Sequence, residues 1–233
     1  MQLLYRGKTK DVYEDGAQTL RLVFTDRVTQ NDAGEIDPGG NFVADLTEPG
    51  QGAACLAMAS FIFSELHTHN IPTHMLAFDP AAASMTVRKA NTFTPGLEWV
   101  GRWVCTGSFF RRYSMVPGVR DGMRLPSPVF EITLKDDAAG DPLIAPSAIV
   151  ALGIVSARNM DILVEYNHKT MQALHGIFAA RGLDLWDLKI EWGLDASGAP
   201  MLIDEISPGS CRAFKAGTRE RVAGAALAAY FRK

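Results

Sequence analysis

The residues most suited to chemistry lie between Leu185 and Arg212. Asp187, Leu188, Lys189, Ile190 and Glu191 alternate charged and apolar side chains. In a β-strand that alternation puts Asp187, Lys189 and Glu191 on one face and Leu188, Ile190 and Trp192 on the other. A strand that only covers a core does not need three charges in five residues. Asp204 and Glu205 follow on a second apolar run, beyond the polar turn Asp195-Ala196-Ser197-Gly198-Ala199-Pro200. If that turn closes a hairpin, Glu191 is expected across from Asp204. Two adjacent carboxylates repel unless a cation lies between them, and hard oxygen ligands suit magnesium, which completes its shell with phosphate oxygens and water. A solvated charged face screened by lysine explains the same pattern without a metal.

Other segments offer complementary chemistry. Ser207-Pro208-Gly209-Ser210-Cys211-Arg212 combines small residues, hydroxyls and a guanidinium, the groups that a phosphomonoester needs. Gly7-Lys8-Thr9-Lys10 can bring lysine and close backbone to nucleotide phosphates, although the P-loop spacing is absent. Arg102 and the sequence Thr106-Gly107-Ser108 lead into a short helix, a plausible anion site. Lys135, Asp136, Asp137 and Asp141 make a polar stretch after a strand. His67, His69 and His74 invite a metal reading, but His67 and His69 fall at a helix C-terminus, where the helix dipole explains them.

These groups need a scaffold, and the periodicities supply one. Leu3 to Tyr5, Asp11 to Tyr13 and Thr19 to Phe24 read as short strands, and Gly34 to Gly40 as a polar loop. Gln51 to His67 reads as a helix with Leu56, Ser60, Phe63 and Leu66 on one face, stopped by Asn70-Ile71-Pro72. Strands are expected at Met85 to Lys89, Leu97 to Val104 and Val129 to Leu134, with a short helix at Gly107 to Tyr113. The clearest helix runs from Ala157 to Arg181, capped by Ser156 and ended by Gly182, with Leu163, Tyr166, Thr170, Leu174 and Ile177 facing inward. Trp186 to Trp192 and Met201 to Ile206 are the hairpin strands, and Val222 to Phe231 is expected to be helical. The pattern indicates an α+β fold with two closely joined lobes.

Composition narrows the function classes. The 233 residues are 47% hydrophobic and 21% charged, as in ordinary globular proteins. Such a chain buries roughly 70% of its unfolded surface, so no staple is needed. A net charge of -3 disfavours bulk nucleic-acid binding. Cys55, Cys105 and Cys211 are few, odd in number and far apart, which fits a reducing compartment. The first residues lack a signal-peptide pattern and no apolar run reaches membrane-span length, so a cytoplasmic protein is expected.

In order, several short motifs resemble one family. They are Leu4 to Lys10, Asn70-Ile71-Pro72-Thr73-His74, Arg102 with Gly107-Ser108, and Leu134 to Asp137 with Asp141-Pro142. Asp187 to Gly193 and Asp204 to Pro208 with Cys211-Arg212 complete the series. The chain resembles phosphoribosylaminoimidazole-succinocarboxamide synthase (SAICAR synthetase) over nearly its whole length. The resemblance implies a small antiparallel β-rich lobe, residues 1–92, covering ATP, and an α/β lobe, residues 93–233, with the metal, phosphate and substrate sites. It implies ATP-dependent ligation of L-aspartate to the carboxylate of carboxyaminoimidazole ribonucleotide through an acyl phosphate, the SAICAR-forming step of de novo purine biosynthesis, with ATP and Mg²⁺ as cofactors. By position Gly7, Lys8, Lys10 and Lys89 resemble nucleotide-site residues, and Glu191 and Asp204 a magnesium pair. Arg102, Ser108 and Arg212 resemble a substrate-phosphate clamp. Lys135, Asp137, Asp141, Asp187 and Lys189 resemble residues around the acceptor carboxylate and the incoming aspartate. The expected partners are small molecules, without nucleic acid or membrane, and self-association into a homo-oligomer is allowed for.

Departures from the family pattern are localised. Trp103, Val104, Cys105 and Thr106 replace the Asn-x-Ala-Ala that usually follows the arginine. Gly140 stands for a histidine, Gly209 for an aspartate, and the Asn-Asn-Lys of the first helix is lost near Ala53-Ala54-Cys55. These changes concentrate on the acceptor side. They leave open a paralog acting on a related azole ribonucleotide in C-nucleoside or modified-purine biosynthesis. A non-catalytic nucleotide-binding relative is a third reading, opposed by retention of Glu191 and Asp204.

Overall fold

A computed structural model describes residues 1–30, 34, 36 and 42–232. The expected loop at 34–40 therefore lies almost entirely outside the described residues. Five strands form an antiparallel sheet: β1 (Gln2–Arg6), β2 (Lys10–Glu14), β3 (Thr19–Phe24), β6 (Met75–Asp79) and β7 (Ser84–Arg88), in the order β1-β2-β3-β7-β6. β4 (Arg27–Gln30) and β5 (Phe42–Thr47) make a separate two-stranded ribbon. The larger sheet uses β8 (Leu97–Cys105), β9 (Met123–Leu134), β10 (Leu183–Leu194), β12 (Cys211–Lys215) and β13 (Arg221–Val222), ordered β13-β12-β10-β8-β9, while β11 (Pro200–Ile203) also pairs with β10. The fold is α+β with antiparallel sheets, as the periodicities imply.

Helix α1 (Gln51–Thr68) covers the smaller sheet, and its apolar positions are buried well beyond one stripe: Ala54, Leu56, Met58, Ala59, Ile62, Phe63 and Leu66. It also packs against α4 (Ala157–Ala179) and α5 (Gly224–Ala228), so one continuous core joins both sheets. Ser156 caps α4 by accepting from the Asn159 N–H at 3.2 Å. Gly182 adopts φ +70, which ends the helix where a side chain would be strained. Of the expected inward stripe Leu163, Thr170, Leu174 and Ile177 are buried, and Tyr166 is half-buried beside Trp192. α2 (Gly107–Tyr113) has the expected bounds, and α3 (Pro146–Ala151) was not anticipated. The C-terminal helix is shorter than expected: α5 is followed by a single 3₁₀ turn at Ala229–Phe231. Among the described residues no helix is long and apolar enough to cross a membrane.

β8 lies between β9 and β10 and is buried along its entire length. It therefore carries Glu98 and Arg102 into the molecule beside Glu191 and Asp187, with which they are directly paired. The β10–β11 register differs from the expected one. Glu191 pairs with Ile203, not Asp204, because the Asp195–Ala199 turn closes with the Asp195 N–H donating to the Ala199 carbonyl and β11 starts at Pro200. A shift of one residue exchanges the faces of a strand. Continued extension would thus turn Asp204 away from Glu191. Instead β11 stops at Ile203 and Asp204 takes φ +66, which breaks the alternation.

Candidate active site

Asp187, Lys189 and Glu191 line one face of β10 as the alternation requires, spanning roughly 13 Å at the usual strand rise. The two ends of this face differ in charge.

At the Glu191 end, Lys10 Nζ lies 2.6 Å from Asp204 Oδ1 and 3.4 Å from Glu205 Oε1. Lys135 Nζ is 2.6 Å from Glu191 Oε1, and Lys189 Nζ is 2.5 Å from Glu98 Oε1. The Thr9 hydroxyl donates to Glu205 at 3.1 Å. Four carboxylates thus face three ammonium groups. Burial works against the Lys10 charge, but Asp204 and Glu205 outweigh it and raise its pKa. Burial opposes charge at Lys135 and Lys189 as well, yet the adjacent carboxylates hold both lysines protonated. Burial and then the neighbouring Asp204 charge push Glu191 upward. Asp204 is held well below the carboxylate range: burial disfavours its charge, and Lys10 and Lys135 more than compensate. The pair therefore takes up its first proton at Glu191.

This donor set fits magnesium. Among the described residues no group of three or more His, Cys, Asp or Glu side chains is arranged to hold a metal alone. Two carboxylates are what magnesium uses when phosphates and water supply its other ligands. Glu205 Oε2 is moreover buried without a hydrogen-bond partner, an acceptor left over beside the pair. The expected histidine placements also resolve. His67 and His69 are exposed at the end of α1. His74 is buried, with its ring edge-on to Phe63 and its Nε2 3.0 Å from the Asp204 carbonyl oxygen. Burial pushes its pKa down to about 4, so it is a neutral donor.

At the Asp187 end the sign reverses. Asp187 Oδ2 accepts from Arg102 at 2.9 Å and Arg212 at 2.6 Å. Glu131 accepts from Arg102 at 2.8 Å and from Arg112 at 2.7 Å. Arg102 also donates to the Ser108 hydroxyl at 2.9 Å. Three guanidinium groups thus meet two carboxylates. Arg102 is almost wholly buried and already engaged on three sides, so it orders the array, while Arg112 and Arg212 keep exposed ends. Beside them, Ser108, Arg111, Arg112, Gly140, Asp141 and Pro142 line an open cleft of about 260 Å³. Asp141 adopts φ +51 and accepts from the Asp136 N–H. Burial and the Glu98 charge raise its pKa.

The remaining expected residues are placed as follows. Gly7 closes a turn onto the Lys10 carbonyl at 2.8 Å, where a Cβ would collide with that oxygen. Arg27 braces the same turn by donating to the Gly7 and Lys8 carbonyls. Lys8 reaches across to Asp137 at 2.9 Å. Lys89 pairs with Glu14 at 3.1 Å and borders a separate cleft of about 580 Å³ with Leu4, Leu20, Ala90 and Asn91. It does not join the Glu191 cluster. The serines of the 207–212 segment are engaged locally: Ser207 Oγ accepts from the Gly209 N–H, and Ser210 Oγ accepts from the Ser207 N–H. That segment delivers Arg212 and offers no free hydroxyl loop. Gly107, at φ +56, lies so close to the Arg212 guanidinium that a Cβ would be 2.3 Å from Nη1.

Glu98, Glu131, Arg112 and Arg27 were not singled out from the sequence. The available signal for the two acids was a lone carboxylate within an apolar strand, at Leu97-Glu98-Trp99 and Phe130-Glu131-Ile132.

Comparison with known proteins agrees with this geometry. A family model described as SAICAR synthetase matches residues 3–227. The phosphoribosylaminoimidazole-succinocarboxamide synthase of Clostridium tetani is 40% identical over 220 residues, 93% of this chain and 94% of that protein. A solved structure titled SAICAR synthetase (Type-2) in complex with ADP superposes with a TM-score of 0.82 at 29% identity, covering 94% of this chain and 87% of the other. The enzyme of the same name from Ehrlichia chaffeensis also gives 0.82, at 24% identity over 95% of this chain and 89% of its own, and shares the fold. The chain belongs to the SAICAR synthetase family.

Proposed function

We infer that the protein is an ADP-forming carbon–nitrogen ligase. It joins L-aspartate to the carboxylate of carboxyaminoimidazole ribonucleotide, giving SAICAR in de novo purine biosynthesis. Family membership and 40% identity to a synthase of that name support this acceptor over a related azole. The observation that carries the chemistry is the polarity of β10. Its Asp187 end gathers arginines, suited to a phosphate ester, and its Glu191 end gathers carboxylates and lysines, suited to phosphoryl transfer.

A ribonucleotide lying along β10 would meet Arg212, Arg112 and Ser108 at its phosphate, with Arg102 and Asp187 aligning them. Its carboxylate would then reach toward Lys135 and Lys189. ATP would enter beside Gly7, Lys8, Lys10 and the cleft at Lys89, which supports a nucleotide-covering role for residues 1–92 and a substrate-holding role for residues 93–233. Glu191 and Asp204 would hold magnesium, which supplies charge neutralisation on the transferring phosphoryl group.

The acceptor carboxylate oxygen attacks the γ-phosphorus, ADP leaves, and an acyl phosphate forms. The aspartate amine attacks the acyl carbon, and phosphate departs with one oxygen of the original carboxylate. Aspartate arrives as an ammonium ion and must lose a proton to attack. Asp141, made more basic than an ordinary carboxylate by burial and the Glu98 charge, would accept it. Lys8 and Asp137 close one edge of the site. Three buried free thiols support action in the reducing cytoplasm.

An ADP-release assay with purified protein tests the reading. ADP formation that requires both L-aspartate and carboxyaminoimidazole ribonucleotide is expected. Turnover only with a different azole carboxylate would refute the acceptor assignment.

A further inference from the structure

We propose that His74 is a positioning residue for phosphoryl transfer: its Nε2–H holds the Asp204 carbonyl, keeping Asp204 in the left-handed conformation that turns its carboxylate toward Lys10 and Glu191. The inference rests on the reading of Glu191 and Asp204 as the metal pair.

The geometry leaves Asp204 needing such a restraint. Ile203 pairs with Glu191, so the next residue of an extended strand would project to the opposite face. Asp204 returns to the Glu191 face because its φ is +66, a conformation that L side chains rarely adopt. Something outside the strand must over-determine that backbone. His74 is placed to do so. Its N–H donates to the Leu202 carbonyl at 2.9 Å, and the Leu202 N–H donates to the Pro72 carbonyl at 2.8 Å. Residues 72–74 are thus zipped to β11, and the ring reaches Asp204 just beyond the last paired residue. The His74 carbonyl also accepts from the Arg88 N–H at 2.8 Å, at the end of β7. The same residue therefore connects the smaller sheet, through β7, with the strand that delivers Asp204.

The Asp204 carbonyl can only accept, so Nε2 carries the proton. Phe63 packs edge-on against the ring with centroids 5.6 Å apart, and the ring is buried. A histidine outside the ligand set thereby fixes a ligand's direction, which is how outer partners tune metal affinity.

Substitution separates this role from simple packing. His74→Phe retains a buried ring but loses the donor. His74→Gln returns an N–H near the Nε2 position. Calorimetric titration with ADP, once with MgCl₂ and once with EDTA, reads the metal-dependent part of nucleotide affinity. Wild type is expected to bind ADP more tightly with magnesium. His74→Phe should lose roughly 10–100-fold of affinity in magnesium and little in EDTA. His74→Gln should recover most of the loss, and His74→Phe should add nothing in an Asp204→Asn background. An undiminished magnesium gain in His74→Phe would overturn the proposal. So would an equal loss in EDTA, or failure of His74→Gln to recover affinity while melting like wild type. Absence of any magnesium gain in wild type would instead remove the metal pair, and the proposal with it.

Discussion

Lys10 Nζ rests 2.6 Å from Asp204 Oδ1, so the N-terminal loop and the end of β11 meet through a half-buried ion pair. That contact joins the smaller sheet to the carboxylate pair, and it favours the charged form of Asp204. Asp204 is held ionised by Lys10, whereas burial and then the Asp204 charge make Glu191 the weaker acid of the two.

Opposite stability effects follow from this asymmetry. Glu191 has a raised folded-state pKa, so the stability it contributes is present at low pH and lost as pH rises through that pKa. Near neutral pH, Glu191→Gln should therefore leave the nucleotide-free protein as stable as wild type or more so. Asp204 has a depressed pKa, so its contribution is present at neutral pH and lost as pH falls through the folded value. Asp204→Asn should lower Tm, by roughly 2–4 °C for each kcal/mol lost in a chain of this size. Both variants should lose about 10²-fold or more in ADP-forming turnover. Thermal melts and ADP release check the two readouts together; wild-type rates would remove both residues from the site.

Arg102 and Arg212 share the Asp187 oxygen, but their roles should separate. Arg102 is buried and fully engaged, and its replacement by leucine leaves Glu131 and Asp187 short of a partner. Loss of about 3–5 kcal/mol in denaturant unfolding is expected. Arg212 is partly exposed. Arg212→Ala should raise the KM for the ribonucleotide by roughly 10-fold or more with a small stability change, because a charge-assisted contact to phosphate is lost.

Gly107→Ala should reproduce the Arg212 defect without touching a charge. Its added Cβ would occupy the space of the Arg212 guanidinium, at a backbone conformation already costly for alanine. Steady-state kinetics should show a raised ribonucleotide KM and an unchanged KM for ATP. An unchanged ribonucleotide KM would mean that Arg212 does not need this packing to function.

The cysteines should be inert in the native protein. Burial pushes Cys55 up to about 12 and also raises Cys105 and Cys211, so little thiolate exists at pH 8. Iodoacetamide followed by mass spectrometry should label none of them until denaturant is added.

Much of the scaffold was legible in the sequence because it is periodic. The alternation from Asp187 to Trp192 gave the faces of β10, and the Ser156 and Gly182 signals marked the ends of α4. The two β10–β11 partners were misjudged by one residue because turn geometry, which composition does not fix, sets hairpin register. The same gap hid the backbone reversal at Asp204 and the use of His74. Glu98 and Glu131 were overlooked since each is a lone acid in an apolar strand, and its partners come from other elements of the fold. Arg102 illustrates the converse. Its motif placed it at the phosphate clamp, but only the three-dimensional pairing shows that its donors are directed at Glu131, Asp187 and Ser108.

The most direct test of ATP-driven ligation at this site follows an oxygen atom. Carboxyaminoimidazole ribonucleotide labelled with ¹⁸O in its carboxylate is turned over with ATP and L-aspartate, and the inorganic phosphate is analysed by mass spectrometry. Transfer of one ¹⁸O to each phosphate released, dependent on aspartate, is the predicted result. Phosphate without label, or phosphate released equally in the absence of aspartate and acceptor, would contradict it.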